Sequence, residues 1–208
     1  MTFTYTDTEF SFKVIDNFLS EKYYQMIKNE VFGNEFTWKY RDNITYELDP
    51  KVFSDWNALN NLNINYEYGF YHEIYYDGQS YSYLNLILSS FYASLMEETQ
   101  TNRVMRCRLD MVTYSPDKYK HFPHVDFFEP HLSAVFYLTD SDAETILYDL
   151  KCSSFDDILN IDVNTLKELT RIEPKENRVV IFNGLHLHTG QSPSKSKKRI
   201  LINTNLSL

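Results

Sequence analysis

From residue 103 onward the chain breaks into short apolar runs separated by turn residues, and this texture constrains the fold more than any other feature. The runs VMRCRLDMVTYS, HLSAVFYLTD, ETILYDL, RVVIFNG and RILINTNLSL each have the length and β-branched or aromatic content of a strand. They predict a β core over 103–208. One stretch interrupts it: SSFDDILNIDVNTLKELTR carries leucines suited to a short helix, and Ser153 stands three before Asp156 as a capping box. An insertion between strands is therefore expected at about 153–171.

The first half reads differently. FSFKVIDNFL alternates like a strand, and SEKYYQMIKNEVF offers Ser20 as a cap with Tyr24, Ile27 and Val31 on one helical stripe. A second helix is expected in YLNLILSSFYASLMEE, where Leu84, Ile87, Leu88, Phe91, Leu95 and Met96 recur at three-and-four spacing. Residues 35–83 are dense in Tyr and punctuated by Asp-Pro and Asp-Gly, which predicts loops and edge strands. No repeat or Pro-rich linker divides the 208 residues, so residues 1–102 are expected to buttress the β core within a single domain. The fold class is mainly β with flanking helices.

Composition narrows the function classes. A formal net charge of -9 disfavours broad attraction to nucleic acid or anionic lipid; KSKKR, residues 195–199, reads first as a solvated loop. The apolar runs fall well short of the ~20 residues of a membrane helix, and the N-terminal residues lack a signal-peptide pattern. Cys107 and Cys152 lack the paired spacing of a zinc site or a disulfide framework. A cytoplasmic location without membrane attachment is the expectation.

The segment HFPHVDFFEP holds the strongest chemical signal, His124-Val125-Asp126. With six His and fifteen Asp in 208 residues, about 0.4 such His-x-Asp triplets arise by chance, so the triplet alone proves little. In an extended segment, however, residues i and i+2 face the same side, so an imidazole and a carboxylate could meet one ion. IFNGLHLHTGQSP, which ends an apolar strand, offers His186 or His188 as a third ligand. Two neutral imidazoles and one carboxylate on one face of an octahedral metal suit ferrous iron and leave positions open for other ligands.

In order and spacing these pieces resemble the iron(II)/2-oxoglutarate-dependent dioxygenases, in particular the prolyl-4-hydroxylase-like branch found also in phage and bacterial genomes. The resemblance rests on Tyr114 at a strand end, His124-Val125-Asp126, HTG at His188, and Arg199 eleven residues beyond it. It implies a double-stranded β-helix, the jelly-roll and cupin-like architecture. It further implies that His124, Asp126 and His188 hold Fe(II). Arg199 would clasp the distal carboxylate of 2-oxoglutarate, with a hydroxyl contributed by Tyr114. The implied activity is O2-dependent hydroxylation of an unactivated C–H bond with release of succinate and CO2. The substrate would be a protein or peptide residue such as proline, with a free amino acid or other small metabolite as the alternative. The family pattern, a small residue and Gly after the ligand, favours His188 over His186, which would then lie on the barrel wall.

The remaining residues have plainer readings. His121 and His131 are expected at loop or sheet positions, and His72 in a satisfied aromatic surface. Arg106 and Arg108 share one strand face, where they pair with carboxylates or contact substrate. The Tyr-rich residues 66–83 either cover the core or form a substrate lid. Two other classes stay in competition: a cupin-like protein that binds metal or ligand without turnover, and a metal-dependent hydrolase. The hydrolase lacks any His-Glu-x-x-His helix or comparable motif.

Overall fold

Alternating side chains need two partners, one for each face of a strand, and the chain supplies them as a second sheet and a layer of helices. The computed structural model describes residues 12–45, 56, 66–162 and 164–208. The Asp49-Pro50 turn signal lies outside them, as do the first two residues of the expected N-terminal strand run. In chain order the elements begin with β1 (Phe12–Ile15), α1 (Glu21–Phe32), β2 (Lys39–Arg41), β3 (Gly69–Tyr76) and β4 (Gln79–Ser80). Two helical segments come next, α2 (Leu84–Ile87) and α3 (Ser89–Thr99), then β5 (Val104–Thr113), β6 (His131–Tyr137) and β7 (Thr145–Lys151). The chain closes with α4 (Phe155–Leu159), β8 (Glu168–Ile172), β9 (Arg178–Asn183), β10 (His186–Gly190) and β11 (Lys198–Ser207).

The larger sheet has the order β1-β9-β6-β11-β5-β3-β2, with β4 paired to β3, and the smaller has the order β10-β7-β8. Every pairing is antiparallel, and the two sheets face each other as a double-stranded β-helix. Between them lie Val135, Tyr137, Val180, Phe182 and Leu201 from the large sheet and Leu147 and Ile172 from the small one. The opposite face of the large sheet packs Phe136, Ile181 and Ile202 against Tyr24, Ile27 and Val31 of α1 and Phe91 and Leu95 of α3. Each such side chain, once fully buried, contributes about 1.5–3 kcal/mol. No helix among the described residues is long and apolar enough to cross a membrane.

Four local expectations are corrected. Ser20 occupies the N-cap of α1, but its hydroxyl makes no cap bond there. The second helix is broken at Leu88, where the Tyr23 hydroxyl accepts from the Phe91 N–H (3.0 Å) and donates to the Ile87 carbonyl (2.7 Å), while Leu84, Leu88, Phe91 and Leu95 stay on the buried side. The capping box uses Ser154 and Asp157, one residue later than expected, because Ser153 instead donates to the Asp157 carboxylate. The insertion ends early: residues 168–171 belong to β8 of the small sheet. Within 35–83, β2 forms the sheet edge as expected, while β3 lies between β5 and β2 and turns into β4 through Asp77-Gly78, both at positive φ (42° and 84°).

Candidate metal centre

Residues 120–124 run beside β10 as an irregular fourth strand of the small sheet. His124 and His188 form an isolated antiparallel bridge, exchanging both backbone hydrogen bonds at 2.9 Å. Directly opposed residues project to one face, and the two imidazole centroids are 4.6 Å apart. His188 Nδ1 donates to the His186 carbonyl (3.0 Å) and His124 Nδ1 points at the Phe122 carbonyl (3.3 Å). These bonds select the tautomer that leaves Nε2 as the lone-pair nitrogen in each ring. Asp126, two residues beyond His124, completes the cluster, with His188 Nε2 3.8 Å from its Oδ2. One ligand atom from each of the three residues lies within 4.8 Å of the others.

The carboxylate is held by a cage. Arg106 ion-pairs with Asp126, while Asn205 Nδ2 (2.8 Å), Asn203 Nδ2 (3.2 Å) and Ser133 Oγ (3.2 Å) donate to it. Burial alone would raise the Asp126 pKa; Arg106, the two histidines and Asn205 outweigh it and hold the group well below the usual range. Burial pushes His188 down, and burial together with His188 pushes His124 down to about 3. At neutral pH the cluster therefore offers two neutral imidazoles and one ionised carboxylate. Ser133, Asn203 and Asn205 were not among the sequence candidates for this site; the signal that could have found them is parity, since Asn203 and Asn205 share the Arg199 face of β11 and Ser133 shares the Val135 and Tyr137 face of β6.

Arg199, on β11, is buried in the same pocket. Its Nη2 donates to Thr145 Oγ1, which also accepts from the Tyr137 hydroxyl (2.7 Å), and its Cζ lies 5.6 Å from the Tyr137 ring. Its Nε has no hydrogen-bond partner, and among the described residues no carboxylate lies within ion-pair distance of it. Gly190, of the HTG motif, makes the room: a Cβ there would sit 2.5 Å from Arg199 Nη1. Tyr114 is not brought to this place. It comes just after the last residue of β5, is 52% exposed and does not line the pocket, because the strand ends before it. The phenol beside Arg199 is that of Tyr137.

The other histidines stand apart from the cluster. His186 is buried on β10 beyond a bulge, its Nδ1 donating to the Tyr148 carbonyl (3.0 Å). His131 donates to the Glu129 carbonyl (2.8 Å), and His72 bonds Thr37 and Ser82 while its ring packs at a tilt against Phe36. His121 lines the pocket and bonds Ser192 Oγ (3.0 Å). Arg108, also in the pocket wall, pairs with Asp110. The donor set suits a divalent metal that accepts both nitrogen and oxygen, and an uncompensated buried guanidinium suits an anionic ligand next to it.

No protein-family model matches the sequence, and no curated protein matches it. Solved structures do. SnoN, a non-heme alpha-ketoglutarate-dependent epimerase from nogalamycin biosynthesis, matches with a TM-score of 0.58 and 11% identity over 94% of this chain and 77% of that one. A prolyl hydroxylase from Trichoplax adhaerens, solved with a hypoxia inducible factor peptide fragment, gives 0.55 and 14% over 94% and 82%. The alpha-ketoglutarate-dependent carbocyclase SnoK gives 0.52 and 11% over 90% and 83%. The fold is thus that of the non-heme iron and 2-oxoglutarate oxygenases. On that scaffold the matched proteins epimerise, cyclise or hydroxylate, so the reaction of this chain has to be argued from its own site.

Proposed function

We propose that the chain is an Fe(II)- and 2-oxoglutarate-dependent dioxygenase that hydroxylates an unactivated C–H bond of a protein or peptide residue. The observation that carries this reading is Arg199, a buried guanidinium with no carboxylate partner among the described residues, in one pocket with the His124–Asp126–His188 cluster. His124, Asp126 and His188 would hold the iron. Arg199 would clasp the distal carboxylate of 2-oxoglutarate in a charge-assisted fork, with Thr145 and Tyr137 fixing the fork's orientation. When bound, iron and 2-oxoglutarate supply the oxidising power, O2 being consumed with release of succinate and CO2.

The chain's own contribution is positional. Arg106, Asn203 and Asn205 keep Asp126 ionised and oriented, and the backbone carbonyls keep both imidazoles in one tautomer. Val135 and Leu201 give the pocket a dry wall that keeps bulk water from the reacting centre. A peptide substrate is supported by the prolyl hydroxylase of the same fold that was solved with one.

Anaerobic titration with ferrous salt and 2-oxoglutarate tests the cofactors. A visible metal-to-ligand charge-transfer band is expected in the native protein and not in His124→Ala. Absence of the band in the native protein overturns the reading.

A further inference from the structure

The large sheet extends two strands past β5, and the inner face of this extension carries an uneven charge. In register, Tyr71 of β3 stands between Lys39 of β2 and Asp110 of β5, and Glu73 stands opposite Arg108. Three cations surround the Tyr71 ring: Arg41 Cζ at 5.7 Å, Lys39 Nζ at 6.0 Å and Arg108 Cζ at 6.0 Å. Both carboxylates of this face, Asp110 and Glu73, lie beside Arg108, and Glu73 is also within the field of Arg41. Lys39 and Arg41 are exposed and form no ion pair among the described residues; Asp42 instead bonds Tyr40 on the other side of β2. In a chain with a net charge of -9, a local surplus of cations on an aromatic platform is selective for anions.

The platform is continuous with the candidate active site, since Arg108 and Asp110 also line its pocket. Adjacent strands are ~4.8 Å apart, so β2 lies about 10 Å from β5. A small ligand held at Arg108 on β5 is separated from β2 by that span, whereas an extended peptide, advancing ~3.3 Å per residue, crosses it in about three residues.

We infer that the substrate is an acidic peptide that crosses the inner faces of β5, β3 and β2, with carboxylates against Arg41 and Lys39 about three residues from the position presented to the metal cluster. The inference rests on the oxygenase reading for the chemistry at the metal, and its test reads docking alone. Two fluorescent peptides with a central proline, identical except that the flanking residues are Glu in one and Lys in the other, are titrated into the protein by anisotropy. The Glu peptide is expected to bind roughly tenfold more tightly at low salt, with the preference shrinking as ionic strength rises.

Lys39→Glu/Arg41→Glu, two exposed substitutions on a short edge strand, is expected to abolish or invert that preference while leaving the circular dichroism spectrum and melting temperature unchanged. Arg41→Gln serves as the milder variant and is expected to reduce it partway. Equal affinities in the native protein, no binding of either peptide, or an unaltered preference in a folded double variant would each overturn the proposal. A retained Glu preference in a protein that shows no charge-transfer band overturns the oxygenase reading and leaves the acidic-peptide surface standing.

Discussion

Arg199 and Gly190 are complementary at the scale of single residues. A guanidinium is accommodated behind the small sheet because β10 carries no side chain at position 190, where a Cβ would come within 2.5 Å of Nη1. Gly190→Ala is therefore expected to raise the KM for 2-oxoglutarate by roughly tenfold or more, by tilting the fork, while ferrous binding stays within about twofold of native. Equilibrium titrations of each ligand separate the two effects. Asp126 poses the converse problem, a buried charge whose neutralising partner is Arg106. Arg106→Ala leaves that carboxylate uncompensated and is expected to cost about 3 kcal/mol in urea unfolding of the metal-free protein. Tyr114→Phe, by contrast, is expected to leave the KM for 2-oxoglutarate unchanged, because the side chain is outside the pocket.

At the scale of elements, β6 shows how one strand serves two cores. Ala134 and Phe136 face the helices while Val135 and Tyr137 face the barrel, and Phe136 makes ring contacts with Phe18, Tyr24 and Phe91. Phe136→Ala is expected to destabilise by about 3–5 kcal/mol in chemical denaturation without altering the Arg199 side of the strand. The same two-sided burial explains what could be read from sequence. The runs from 103 onward were legible as strands because short β-branched and aromatic stretches alternate with turn residues, and the stripe of α1 because Tyr24, Ile27 and Val31 repeat at helical spacing. Strand β3 was not legible as an interior strand, since its tyrosines and charges belong to a half-covered platform and mimic an edge. Of the clustered residues, His124 and Asp126 were suggested by their i and i+2 spacing, whereas the same spacing of His186 and His188 left the third ligand open and only the HTG pattern of the resemblance favoured His188. Tyr137 was missed for a related reason: a tyrosine inside a hydrophobic run looks like core until the register places it opposite Leu201 and over Arg199.

At the scale of the whole molecule, the candidate centre couples stability to pH. His124 and His188 are neutral when folded, their pKa values being lowered by burial, and protonate near 6.5 when unfolded. As pH falls below 6.5 the unfolded chain takes up protons that the fold refuses, so stability declines, and for His124 the decline continues to about 3. Between pH 7 and pH 5 the metal-free protein is expected to lose on the order of 1 to 2 kcal/mol through His124, with His188 acting in the same direction, measured as a shift in denaturation midpoint. Asp126 acts in the same direction at lower pH, its contribution being lost as pH falls below 3.8. The His124–His188 bridge has a further consequence for the order in which the chain comes apart. It joins two points 64 residues apart in sequence, and β6, β7, α4, β8 and β9 all lie within that span. An ion shared across the bridge would act as a buckle on a long belt: while it is fastened, the two ends of that span cannot separate without breaking coordination. Amide exchange at positions 124 and 188 should slow on metal addition, while that of α1, outside the belt, keeps its rate.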